Sequence, residues 1–158
     1  LVARQYALAH PTRVAALVLL DGAIFQLPPG EQDRQRWSEN IARLAASFGP
    51  AVEKTQRERS ISVFLSNLHH PNTPRDIQMR VLRTALQTPP AAAEATLLAM
   101  ADLKLWTPAT VPVPTLFLRT GKQAPPGEEA FLRSLFPNLT YKYLSGLGHY
   151  LMLDNPAM

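Results

Sequence analysis

The sequence predicts an α/β fold built on a parallel sheet, and three observations predict it. Short apolar runs of strand character alternate with segments of helical periodicity. The runs are closed by turn residues, as in strands buried within parallel sheets. The last run passes directly into a glycine-flanked loop, Gly146-Leu147-Gly148-His149.

The elements follow in order. Leu1 to Ala9 reads as helix, because Val2, Tyr6 and Ala9 share a face at helical spacing. His10-Pro11 ends it, since the residue before proline avoids the α region. Val14 to Leu20 is continuously apolar and stops at Asp21-Gly22, which predicts a strand buried on both faces. From Ile24 to Thr110 the pattern is helical throughout. Trp37, Ile41, Leu44, Ala45 and Phe48 form one stripe; Ile61, Phe64, Leu65 and Leu68 form a second. Ile77, Val81, Leu82, Ala85 and Leu86 form a third, and Leu97, Leu98 and Ala101 belong to a fourth. Thr73-Pro74 and Thr88-Pro89 look like N-caps with proline in the first helical position. Strand character returns at Thr115 to Leu118, with Gly121 after it. Glu128 to Phe136 is a short amphipathic helix, Pro137-Asn138 a turn, and Leu139 to Leu144 an alternating strand that leads to His149. The chain therefore divides into a core segment 1–23, a helical insert 24–110 and a second core segment 111–158.

Composition narrows the function classes. With 46% hydrophobic and 18% charged residues, the 158-residue chain can build a core and is not a disordered polyampholyte. The net charge of +4 is mild. Arg34, Arg36, Arg43, Lys54, Arg57 and Arg59 are interspersed with Glu31, Glu39, Glu53 and Glu58, which reads as solvated helix faces and not as a nucleic-acid surface. There is no cysteine, so disulfides, thiolate-bound zinc and thiol nucleophiles are excluded, and a cytoplasmic compartment is the default expectation. The longest apolar run is far shorter than the ~20 residues of a membrane span. No signal peptide is visible. The chain opens at Leu1 inside a helix-like pattern and stops just after Asp154-Asn155-Pro156, which predicts that both ends are cut.

Three groups of residues resemble the α/β-hydrolase family. Leu1-Val-Ala-Arg-Gln-Tyr-Ala-Leu-Ala-His-Pro-Thr-Arg-Val14, with Leu17-Val-Leu-Leu-Asp-Gly22, resembles the helix and strand after the nucleophile elbow. Val113-Pro-Thr-Leu-Phe-Leu118 resembles the next strand. Pro137-Asn-Leu-Thr-Tyr141 with Gly146-Leu-Gly-His149 resembles the last strand and its histidine loop. The resemblance covers essentially the whole chain and implies a partial α/β-hydrolase fold: the last three parallel strands, with the helical insert as a cap. It also implies that the elbow, Gly-x-Ser-x-Gly, lies upstream of Leu1, together with the oxyanion-hole groups.

Alcohol-mediated acyl transfer needs a base that accepts the hydroxyl proton and returns it to the leaving group, and imidazole suits that task near neutrality. His149 follows a strand directly, where such a base should project. The alternative is a loop histidine packed for structural reasons. The third member of a triad is a carboxylate. The resemblance implies an Asp three residues after a glycine matched by Gly121, but that position holds Ala124, and Lys122 and Gln123 cannot replace it. Some relatives, certain haloalkane and fluoroacetate dehalogenases among them, place the acid at the end of the preceding strand, which corresponds to Asp21. The alternative for Asp21 is a turn cap with Gly22. Glu128 and Glu129 are the next candidates, although both read as first-turn helix residues, and Asp154 reads as a helix-start residue. His69-His70 diverge and read as a surface loop, not a metal site. Trp37, Phe48, Phe64, Met79 and Trp106 are candidates for a substrate pocket or, more simply, for the insert's own core.

These readings predict a hydrolase acting on a small apolar ester-type substrate through a Ser-His-Asp triad, with His149 and Asp21 as its catalytic residues here. No cofactor, metal, nucleic-acid partner or membrane partner is implied, and the oligomeric state stays open. The alternatives are a dehalogenase-like enzyme with an Asp nucleophile and a non-catalytic binding protein of the same fold. The chain alone is expected to be inactive and to expose an unpaired edge at its first strand.

Overall fold

The computed structural model describes residues 1–121 and 123–155. Lys122 and Pro156, named above, lie outside them. The described residues form seven α-helices, two 3-10 turns and three strands, divided between two compact units. One unit comprises residues 1–26 and 105–158, and the other residues 27–104.

The first unit carries the sheet. Helix α1 spans Val2–Ala9 and is closed by the His10 amide bonding back to the Tyr6 carbonyl. Strand β1 spans Leu17–Leu20, β2 Thr115–Gly121 and β3 Leu139–Ser145. They pair in parallel in the order β1-β2-β3, with Leu20 opposite Leu118 and Gly121 opposite Ser145. Parallel neighbours need a crossover, and helix α6, Glu128–Leu135, supplies the one between β2 and β3. The short helix α7 spans Leu151–Asp154.

The core of this unit explains the pattern of its sequence. Phe117 on the central strand is fully buried, as are Leu132 of α6 and the adjoining Phe136. Leu17, Leu19, Val113 and Leu139 join them in one cluster. Burial of such side chains at about 25 cal/mol per Å² of apolar surface is the main force that holds the sheet to its helix. Arg4 of α1 is buried as well, and its guanidinium donates to the carbonyls of Leu105, Thr107 and Ala109 at 3.1, 2.9 and 3.4 Å. It thereby fixes the segment that enters β2 to the first helix.

The second unit is helical: α2 Glu31–Ala46, α3 Lys54–Ser66, α4 Arg75–Gln87 and α5 Pro90–Met100. Helix α2 packs on α5 and α3 on α4. Ala45, Phe48, Ile61 and Leu65 are buried, and the rings of Phe48 and Phe64 meet edge to face at 5.5 Å.

Three local expectations change. Strand β1 is not buried on both faces: Leu17 and Leu19 are covered, whereas Val18 is 62% exposed. Only one face of β1 is covered among the described residues, so burial alternates along it. The N-caps of α4 and α5 fall on Pro74 and Pro89, one residue later than expected, because both prolines hold extended ψ values of 140° and 131°. Strand β2 continues past Leu118 to Gly121 and takes Arg119 and Thr120 into the ladder.

Candidate active site

Parallel strands bring their carboxyl ends to one side of a sheet, and groups placed just beyond those ends converge. Asp21 follows β1, Arg119 and Thr120 close β2, and Gly146–His149 follows β3. The parallel register sets Leu20 beside Leu118, so the next residues, Asp21 and Arg119, are neighbours.

Asp21 and His149 meet there. Nδ1 of His149 lies 2.8 Å from Oδ2 of Asp21, across 128 residues of sequence. The other carboxylate oxygen, Oδ1, accepts from the Thr120 amide at 2.9 Å and from Nη1 of Arg119 at 3.2 Å. Burial opposes ionisation of this carboxyl. The hydrogen bonds from His149 and Thr120 and the charge of Arg119 outweigh that cost, and Asp21 is held below the usual carboxylate range. An ionised carboxylate can only accept, so the proton in the pair sits on Nδ1. In an imidazole protonated there alone, Nε2 carries the lone pair. This is the tautomer a general base needs. The His149 side chain is 37% exposed while that of Asp21 is 11% exposed, so the imidazole stays accessible on a carboxylate that is nearly enclosed.

The loop that presents His149 is fixed from both sides. Gly146 has φ +79°, a left-handed conformation that glycine adopts without penalty. The Gly148 amide donates to Oδ2 of Asp154 at 2.7 Å. Asp154 is the last residue of α7 and not, as expected, a helix start. The Tyr150 ring stands edge-on to the imidazole with centroids 5.4 Å apart.

A second carboxylate joins the cluster without touching the pair. Oε1 of Glu128, at the start of α6, accepts from Nη2 of Arg119 at 3.0 Å. Oε2 of Glu128 accepts from the Tyr141 hydroxyl at 2.9 Å. Glu129 instead pairs with Arg133 one turn along the helix. Of the expected acid candidates, Asp21 reaches the histidine, Glu128 lies one link away, and Glu129 is occupied on the surface. Ala124 lies beside Pro125, Gly127 and Tyr141 in a shallow depression.

Other sequence candidates go elsewhere. Trp106 belongs to the first unit, where it is buried and stacks on Phe25 at 5.3 Å. Phe48 and Phe64 serve the core of the helical unit, and Met79 is 44% exposed. Nδ1 of His70 accepts from the Asn72 amide, a local turn contact. Among the described residues no group of three or more His, Asp or Glu is placed to hold a metal ion, and no helix is long and apolar enough to cross a membrane.

Arg119 and Thr120 were not singled out in the sequence. The signal for Arg119 is a cation interrupting an apolar strand, at the same distance beyond Leu118 as Asp21 is beyond Leu20.

A three-stranded parallel sheet with a carboxylate and a histidine paired beyond its carboxyl ends defines the class: the chain has the fold of part of an α/β-hydrolase. Among solved structures it is similar to a thermophilic esterase from Thermogutta terrifontis, at 24% identity and TM-score 0.72, over 98% of this chain and 56% of that one. It is similar to an esterase from Exiguobacterium antarcticum, at 16% identity and TM-score 0.73, over 98% and 58%. A third is the N-acyl homoserine lactone degrading enzyme Est816, at 16% identity and TM-score 0.66, over 99% and 59%. The chain thus spans between 56% and 59% of the length of these structures. At such identities the likeness establishes the fold. No protein-family model and no curated protein matches the sequence.

Proposed function

We propose that this chain supplies the base and the acid of an α/β-hydrolase that cleaves a small ester-type substrate. His149 is the general base, Asp21 orients it, and the nucleophile, a serine, comes from residues outside this chain. The carrying observation is the 2.8 Å contact between Nδ1 of His149 and Oδ2 of Asp21 at the carboxyl ends of the strands. The esterases among the similar structures support the ester-type substrate.

In the cycle we propose, Nε2 takes the proton of the nucleophile as it attacks the acyl carbon, and Asp21 stabilises the imidazolium that forms. Nε2 then protonates the departing alkoxide, and water attacks the acyl-enzyme by the same route in reverse.

The test uses the full-length protein that contains this chain and a panel of p-nitrophenyl esters. His149→Ala is expected to lower kcat by a factor on the order of 10⁴, and Asp21→Asn by a similar factor through the wrong imidazole tautomer. A His149→Ala protein as active as wild type overturns the assignment, and a folded wild type that turns over no ester overturns the substrate class. A second reading draws on the position of Asp21 at the end of β1, which resembles that of the acid in certain dehalogenases. In it the nucleophile is an aspartate, and halide release from a haloalkane without ester turnover would select it.

A further inference from the structure

Asp21 has two oxygens and three donors, and one of those donors carries a full charge of its own. A guanidinium facing a lone carboxylate favours a two-pronged pair that takes both oxygens. Here it does not: Nη1 of Arg119 bonds to Oδ1 of Asp21 at 3.2 Å, while Nη2 turns to Oε1 of Glu128 at 3.0 Å. Oδ2 is thereby left to His149. We propose that Arg119 and Glu128 are positioning residues that act as an opposed pair on His149: the arginine holds Asp21 and repels charge on the imidazole, and Glu128 draws the arginine off Oδ2 and offsets that repulsion. The proposal rests on the hydrolase reading above.

The charges support this division. The side chains of Arg119, Asp21 and Glu128 are 19%, 11% and 10% exposed, so water screens them weakly. With both carboxylates ionised the trio carries one net negative charge, and a protonated His149 brings the cluster to neutrality. Without Glu128, the imidazolium would form beside a cluster that is already neutral. The remaining titratable groups facing the site leave this balance intact. Tyr141, on β3, donates to Glu128, and burial together with that carboxylate pushes its ionisation far upward. Tyr143, also on β3, donates to the Gly121 carbonyl at 2.6 Å. Burial raises the Tyr150 hydroxyl, so it stays neutral beside the His149 ring. Asp154 of α7 is bonded to the Gly148 amide, and Glu129 of α6 to Arg133.

The test is the pH profile of kcat/KM for the full-length protein, whose acidic limb reports protonation of the base. Arg119→Gln removes a cation, which eases that protonation, so the limb moves to higher pH, by roughly one unit. Glu128→Gln leaves the arginine uncompensated, so the limb moves to lower pH by a similar amount. The double variant returns toward wild type, and Arg119→Lys, which keeps the charge, leaves the limb in place. Shifts of the same sign in the two single variants overturn the proposal. So does an Arg119→Lys shift as large as that of Arg119→Gln. The same variants, titrated by NMR on the His149 imidazole without substrate, are expected to show the same opposed displacements. That readout needs no turnover. A protein that hydrolyses no ester would overturn the ester substrate class yet still decide this proposal, and a His149 titration unmoved by either variant would end it.

Discussion

Asp21 acts from an uncommon backbone conformation. Its φ is +47°, in the left-handed region where Asp is one of the few non-glycine residues tolerated. Three donors to its carboxylate and the bond from its own amide to the Leu118 carbonyl at 2.7 Å hold it there. Because those donors depress its ionisation, Asp21 contributes stability that is present above the ordinary carboxylate value, about 4, and is lost as pH falls through the folded-state value. In urea unfolding, Asp21→Asn should therefore lose less stability than wild type as pH falls below about 4. Gly146 makes a second residue-scale prediction. A Cβ there meets no atom within 4 Å, so Gly146→Ala meets only backbone strain at φ +79°. It should cost about 1–2 kcal/mol by denaturant titration and lower kcat by tilting the histidine loop. His149 and Asp21 were legible in the sequence because each closes a recognisable strand. Arg119 was not, because a charge gives no local sign of whether it faces water or a buried partner 98 positions away, as Arg119 does with Asp21.

At the scale of elements, the central strand is the most demanding. Phe117 is fully buried between the flanking strands and stacks on Tyr141 of β3 at 6.0 Å. Phe117→Ala should cost about 3–5 kcal/mol, read as a lower urea midpoint, and should loosen both ladders at once. The start of β2 was legible and its end was not. The expected strand stops at Leu118, yet pairing with Tyr143, Leu144 and Ser145 carries Arg119, Thr120 and Gly121 into the sheet. Tertiary pairing overrode local preference in that stretch. The helical stripes were more legible, since each of the four centres on one of α2 to α5, although Phe48, Leu68 and Ala101 lie past their helix ends and the caps of α4 and α5 slipped by one residue. Arg4 was invisible as a core residue because its partners are carbonyls, which every sequence has.

At the scale of the whole molecule, the α/β class and the parallel order were readable from the alternation of elements, whereas the exposure of one face of β1 was not. Val18 at 62% exposed and Leu20, with Val2 and Tyr6 of α1, leave apolar surface uncovered beside a strand paired on one edge only. Such an edge invites pairing with another chain. The 158-residue chain by itself is expected to self-associate. Sedimentation that finds a stable, cooperatively folding monomer would contradict this.

The first unit is assembled from two separated stretches of sequence, 1–26 and 105–158, and that division orders events in time. On the ribosome Asp21 is made 128 positions before His149. The helical unit between them is continuous in sequence, and its helices are closed by bonds within each segment, whereas pairing β1 with β2 must close a long loop first. Helical signal should therefore appear early in refolding, and the Asp21–His149 contact should arrive with the slowest phase. The pair is thus a late product of folding, and a chain that stops anywhere before β3 is complete carries Asp21 without its partner.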